Sequence, residues 1–329
     1  MYETFFGLTE RPFDLSPNPK YLFLASTQRE ALSTLRYGLT SGRGLTLLLG
    51  EAGTGKTTLL QTVLAEIGTE TGTDSAQCVL LSNPTLSKAD FYEFLSGGFG
   101  INGSGGSKTK FLLDFRAHLE ARHRCGLITA LLLDEAQSLP SELLEEVRLL
   151  SNIETPTDKL LNVLLIGQPE LADRLNELGL RQLKQRIALR CEIRTFSLSE
   201  TAAYIAGRLR IAGGVPAEVF TRDAITSVHG LSNGVPRVIN VICDNALIGG
   251  FAARTRPVTR ALVDEVCRDF DFRPATHAIY AEHVTPAVGA PLGSSHDPAI
   301  PEAGGDVASS VNIGPFRPKK RFSFFQSAS

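Results

Sequence analysis

The run Gly50-Glu51-Ala52-Gly53-Thr54-Gly55-Lys56-Thr57 has the residue types and spacing to hold a triphosphate. Its glycines keep the loop clear of side chains, so backbone N–H groups can converge on phosphate oxygens at a helix N-terminus. The apolar stretch Leu45–Leu49 precedes the loop, and Thr58-Leu59-Leu60 opens a helical pattern after it. Lys56 is expected to reach the β- and γ-phosphates, and the Thr57 hydroxyl to ligate Mg²⁺. The expected binding set runs through Gly50, Glu51, Ala52, Gly53, Thr54, Gly55, Lys56, Thr57 and Thr58, with ATP and Mg²⁺ as ligands.

Such a loop requires a second strand that ends in a carboxylate. Residues 127–133 are a near-continuous apolar run that stops at Asp134-Glu135, as in a parallel strand covered on both faces. Asp134 is expected to hold the metal, directly or through water. Glu135, at the strand's C-terminal end, is the expected general base for a water attacking the γ-phosphate. Small-molecule kinases have a phosphate loop without needing this pair, so Asp134-Glu135 points to hydrolysis.

The elements that position these residues follow from pattern. Apolar strands are expected at 45–49, 78–82, 127–133, 161–167 and 191–197. Helices are expected near 28–39, 57–67, 88–94, 111–123 and 141–153, with polar surface loops at 68–77 and 96–110. Alternating strands and helices predict an α/β, three-layer core around a five-stranded parallel sheet, over residues 1–197. From 198 to 272 the pattern is helical. Ser199 is the expected N-cap of a helix that Gly213-Gly214 stops, and Val238, Val241, Ile242 and Ala246 share one apolar face. This stretch suits a small helical lid. From 273 to 329 Pro, Gly, Ser and Ala dominate at first, predicting a disordered tail with a basic, aromatic end at Phe316–Phe325. That end reads either as a solvated terminus or as a docking peptide for a protein, an anionic membrane or nucleic acid.

With 33 Lys and Arg against 35 Asp and Glu, the formal charge of -2 argues against a protein that coats nucleic acid broadly. No apolar run reaches the ~18–20 residues of a membrane span, and no signal peptide opens the chain. The five cysteines are scattered without metal-ligand spacing, which predicts buried free thiols in a reducing cytoplasm.

Over residues 1–270 the chain resembles AAA+ ATPases of the ExeA-like group, the general secretion pathway protein A type. Residues that carry the resemblance include Tyr2-Glu3-Thr4-Phe5-Phe6-Gly7-Leu8 with Pro12-Phe13, and Gln28-Arg29-Glu30-Ala31-Leu32. Leu133-Asp134-Glu135-Ala136-Gln137, Gly167-Gln168-Pro169-Glu170-Leu171 and Gly234-Val235-Pro236-Arg237-Val238-Ile239-Asn240 continue it. The layout is more distantly similar to transposition, initiator and clamp-loader ATPases.

The resemblance implies further roles. Gln168 would orient the attacking water or read the γ-phosphate beside Asp134. Asn83 would hold Glu135 away from water until a partner binds, although an Asn-Pro turn explains it equally well. Arg237 would touch the γ-phosphate from the lid of the same subunit. Arg186 would be the finger supplied to a neighbouring subunit, with Arg181 and Arg190 as competitors. Phe13, with Tyr21, would help wall the base pocket, and the clustered N-terminal aromatics are expected to be buried.

The longer secretion members carry a membrane segment and a periplasmic peptidoglycan-binding part, whereas only the low-complexity tail follows here. The expected function is therefore an oligomeric, cytoplasmic ATP-driven switch, peripheral to the membrane, that remodels a protein of a secretion, pilus or polysaccharide-export machine. A DNA-associated ATPase is the less favoured class. In it Arg174, Arg181, Lys184, Arg186 and Arg190 would gather on a ring's inner surface. A metabolite kinase would require an acceptor pocket in place of the lid.

Overall fold

In a computed structural model, residues 1–16, 18–71, 76–82, 86–101 and 107–269 are described. Five strands form the sheet: β1 (Leu45–Gly50), β2 (Ala76–Leu81), β3 (Ile128–Leu133), β4 (Asn162–Gly167) and β5 (Ile187–Ile193). All pairings are parallel, in the order β2-β3-β4-β1-β5. The helices are α1 (Tyr2–Phe6), α2 (Ser26–Thr40), α3 (Lys56–Thr71), α4 (Lys88–Phe99), α5 (Lys108–Arg124), α6 (Ser141–Leu150), α7 (Glu170–Arg174) and α8 (Arg181–Gln185). After β5 come α9 (Leu198–Ile211), α10 (Pro216–Val219), α11 (Arg222–Ser232), α12 (Pro236–Ala252) and α13 (Arg260–Asp269).

The central strands are apolar at nearly every position because both sheet faces are covered. Leu47, Leu49, Leu131, Leu133, Val163 and Leu165 turn to one face, beneath α4, α5 and α6. Leu48, Ala130, Leu132, Leu164 and Ile166 turn to the other, against α2 and α3. This is the expected three-layer α/β core. Register matters more to the site than packing does. Leu133 lies opposite Leu165, and Leu49 opposite Gly167, so β1, β3 and β4 deliver their following residues to one end of the sheet.

Several expected boundaries move. The fifth strand starts at Ile187, four residues before the expected Cys191, because β5 is an edge strand whose burial alternates and so lacks a continuous apolar run. Ser197, not Ser199, caps α9. Its hydroxyl accepts from Glu200 N at 3.3 Å while Glu200 Oε2 accepts from Ser197 N at 2.9 Å, closing a capping box. The expected loops shrink, with α3 continuing to Thr71, α4 to Phe99 and α5 starting at Lys108. The buried stripe of α12 is rotated by about one residue and runs through Ile239, Ile242, Cys243, Ala246 and Leu247. Cys125, expected to be buried, is exposed at the end of α5.

The N-terminal aromatics are buried among the lid helices and not on the sheet. Tyr2, Phe6, Leu8 and Phe13 share a core with residues of α9, α11, α12 and α13. Tyr2 Oη donates to Asp244 Oδ1 at 2.5 Å, and Thr9 N donates to Ala212 O at 2.8 Å. The lid is thus completed by the first residues of the chain. Among the described residues no helix is long and apolar enough to cross a membrane. Asn83 and the tail from 273 to 329 lie outside the described residues.

Candidate active site

The phosphate loop leaves β1 at Gly50 and enters α3 at Lys56. Thr54 fastens it internally, its Oγ1 donating to Glu51 O at 2.8 Å. Lys56 is buried, and its Nζ donates to Gly50 O at 2.8 Å and Glu51 O at 3.0 Å, which holds the ammonium over the loop. Burial pushes its pKa below the ordinary lysine value, against the opposing charges of Glu135, Asp134, Glu51 and Glu170.

Thr57 Oγ1 donates to Asp134 Oδ2 at 2.9 Å, so the two expected metal ligands meet although one opens α3 and the other follows β3. Two hard oxygens beside the phosphate loop suit Mg²⁺, which takes few protein ligands and fills its shell with water and phosphate oxygens. The described residues contain no cluster of three or more His, Cys, Asp or Glu able to hold a metal by themselves.

Glu135 follows Asp134 in the left-handed region, at φ 52°. Its amide donates to Asp134 Oδ1 at 2.9 Å, and the turn carries its carboxylate towards Gln168. Gln137 Nε2 donates to Glu135 Oε2 at 2.5 Å and Gln168 Nε2 donates to the same oxygen at 3.3 Å. The Gln137 hydrogen bond holds the Glu135 carboxyl below its ordinary pKa against partial burial, with help from Gln168 and the Lys56 charge.

Lys56, Thr57 and Glu135 border a cleft of about 430 Å³ that is also lined by Asp14, Tyr21 and Gln28 and by the lid, while Asp134, Gln137 and Gln168 do not line it. Arg237, at the start of α12, lines it, and its backbone N donates to Gly53 O at 3.2 Å. Gly53 has φ +78°, and a Cβ there would lie 2.8 Å from Arg237 Cβ. The loop and lid therefore approach as closely as backbone allows. Tyr21 lines the cleft and Phe13 does not. Its ring is 1% exposed and packs edge-on against Phe220, 6.2 Å away, because the lid core takes it.

Three cleft residues had no role in the sequence reading. The Arg208 guanidinium sits between the rings of Tyr21 and Tyr204, 4.9 and 5.0 Å from their centroids, and donates to Pro12 O at 2.6 Å. Asn240 accepts from Tyr204 Oη at 2.8 Å, and Gln28 is buried at the cleft wall. Gln28 and Asn240 fall within the quoted stretches. Tyr204 and Arg208 are four residues apart on α9, but no local signal brings in Tyr21 from the start of the chain.

Arg186 stands elsewhere. It is exposed just before β5, whose first residue Ile187 pairs with Leu45 at the start of β1. Arg181, Lys184 and Arg190 are also exposed, whereas Arg174 turns inward and donates to the carbonyls of Gln137 and Leu139.

A family model for the AAA domain matches residues 39–175. General secretion pathway protein A of Aeromonas hydrophila is 45% identical over 253 residues, which cover 77% of this chain and 45% of that protein. The chain is an ExeA-like AAA+ protein. It spans less than half the length of that relative. Among solved structures, the Cdc6p of Pyrobaculum aerophilum aligns with a TM-score of 0.60 at 17% identity, over 78% of this chain and 70% of its own. A chain of Drosophila ORC bound to DNA gives 0.60 at 20% identity, over 79% and 64%. These two likenesses establish the AAA+ fold, with its sheet and following helices.

Proposed function

We propose that this AAA+ protein binds Mg²⁺·ATP, hydrolyses it, and uses the cycle in an oligomer to rearrange a protein of an envelope secretion machine. The observation that carries hydrolysis is the joining of Lys56, the Thr57–Asp134 pair and the Glu135–Gln168 pair at one end of the sheet. Mg²⁺, held by Thr57 and Asp134, would supply charge neutralisation at the phosphates. Lys56 binds the β- and γ-phosphates. Glu135 Oε1 takes the proton of the attacking water while Oε2 stays fixed by two amides, and Gln168 orients that water. Arg237 carries the state of the γ-phosphate into α12 and thus into the lid.

Oligomerisation is proposed from Arg186. It lies at the opposite end of β1 from Gly50, across roughly 17 Å of strand at about 3.3 Å per residue. It is therefore out of reach of its own phosphate loop and is assigned to a neighbour's. The envelope client is proposed from the 45% identity to general secretion pathway protein A, with the protein at the cytoplasmic face of the membrane.

Phosphate release with ATP, abolished by Lys56→Ala, tests the chemistry. A phosphorylated metabolite in place of free phosphate would contradict it. Affinity capture with Glu135→Gln held in ATP tests the client. Recovery of a secretion-machine protein is expected, and salt-sensitive recovery of nucleic acid alone would replace this reading by the DNA-associated one.

A further inference from the structure

Resting on the hydrolysis reading, we infer that Gln137 is a positioning residue for Glu135, tying the general base to the strand end that carries Gln168. Its one amide group reaches in two directions. Nε2 donates to Glu135 Oε2 at 2.5 Å, and Oε1 accepts from the backbone N of Gln168 at 3.1 Å. The base on the β3 turn and the water-orienting residue after β4 are thereby held at a fixed separation. A direct bond of 3.3 Å between Gln168 Nε2 and Glu135 closes the ring of contacts.

Two features show that this side chain is built in. A Cβ at Gly167 would lie 2.7 Å from Leu171 Cδ2 and 2.9 Å from Gln137 Oε1, so the last residue of β4 leaves space that Leu171 and the Gln137 amide share. Arg174 of α7 then anchors the turn from behind, donating to Gln137 O and, at 2.8 Å, to Leu139 O. A turn-forming glutamine would need neither the cleared strand end nor the bridge to Gln168. Glu135 itself requires the bridge, because its left-handed turn leaves a flexible carboxylate whose direction the backbone alone does not fix. Gln137 acts through Glu135 and touches no nucleotide.

The test combines Gln137→Met, which keeps the length and removes the amide, with ATP titration and single-turnover hydrolysis in the full chain. ATP affinity should stay within about twofold while the hydrolysis rate falls at least about tenfold, towards the roughly 10²-fold that a 1 Å misplacement costs. With Glu135→Gln as background, Gln137→Met should add no further loss, since residues acting as a unit are not additive. A wild-type rate in Gln137→Met, or a loss that multiplies with that of Glu135→Gln, would overturn the inference and leave the hydrolysis reading standing. Glu135→Gln hydrolysing like the wild type would instead remove that reading. Should Gln137→Met lose its cooperative melt, Gln137→Glu, of the same length and polar, is put through the same readings.

Discussion

Lys56 and Gly53 show how differently two neighbours in one loop serve it. Lys56 contributes charge, and its ammonium is kept from water by the loop it bridges. Lys56→Ala should weaken ATP binding at least about tenfold by titration calorimetry, since hydrogen bonds to charged groups contribute roughly 1.5–3 kcal/mol. Gly53 contributes space. Gly53→Ala would strain a φ of +78° and press on Arg237, so urea unfolding should show a loss of about 1 kcal/mol or more. Both residues were legible in the sequence because strand, loop and helix are contiguous there. Glu135 was legible for a related reason, as a carboxylate that ends an apolar run, whereas the role of Gln168 came only from the family resemblance. The Gln137 bridge was not, since it depends on the left-handed turn at Glu135 and on a register that sets β4 beside β3. Phe13 went to the lid core through a contact with Phe220, which no local pattern announces.

Among the elements, α4, α5 and α6 are joined by a charge network that sequence spacing does not reveal. Glu146 of α6 is 5% exposed and accepts from Tyr92 Oη and Lys108 Nζ, both at 2.6 Å, with Lys88 at 3.9 Å. Burial acts to raise its pKa, but the Lys108 and Tyr92 hydrogen bonds and the two lysine charges outweigh it, and the carboxyl ends below its ordinary value. The folded state therefore binds its proton less readily than the unfolded one. Its stabilisation is present above the ordinary pKa of 4.5 and is lost as pH falls through the lower folded value. Glu146→Gln should lose about 1–3 kcal/mol in urea unfolding at neutral pH, with the gap to the wild type closing under acid. The longer helices and the central strands could be read from their apolar patterns, but the short helices α1, α7, α8 and α10 could not, and β5 could not be placed to the residue. An edge strand buries alternate positions, and its start is set by pairing with Leu45. Ser197→Ala should cost about 1 kcal/mol as the cap of α9 is lost.

At the scale of the molecule, the chain's first residues finish the lid that its last described helices build. Phe6 is fully buried in that core, so Phe6→Ala should destabilise by roughly 3–5 kcal/mol. Because Arg208 ties the lid to Pro12 and lines the cleft, the same variant should also weaken ATP binding. That arrangement is hidden in the sequence, where the aromatic cluster and the lid helices stand at opposite ends of the folded region. The assembly is tested by mixing. Arg186→Ala, slow alone, and Lys56→Ala, inactive alone, should regain part of the wild-type turnover together, and no gain despite co-assembly would count against a finger at Arg186. The central claim, that Glu135 is the base of an ATP hydrolase, is tested most directly by measuring ATP binding and phosphate release side by side for Glu135→Gln. Wild-type affinity is expected with turnover reduced about 10²-fold or more, within the range general-base catalysis supplies. Turnover equal to the wild type at equal affinity would contradict it.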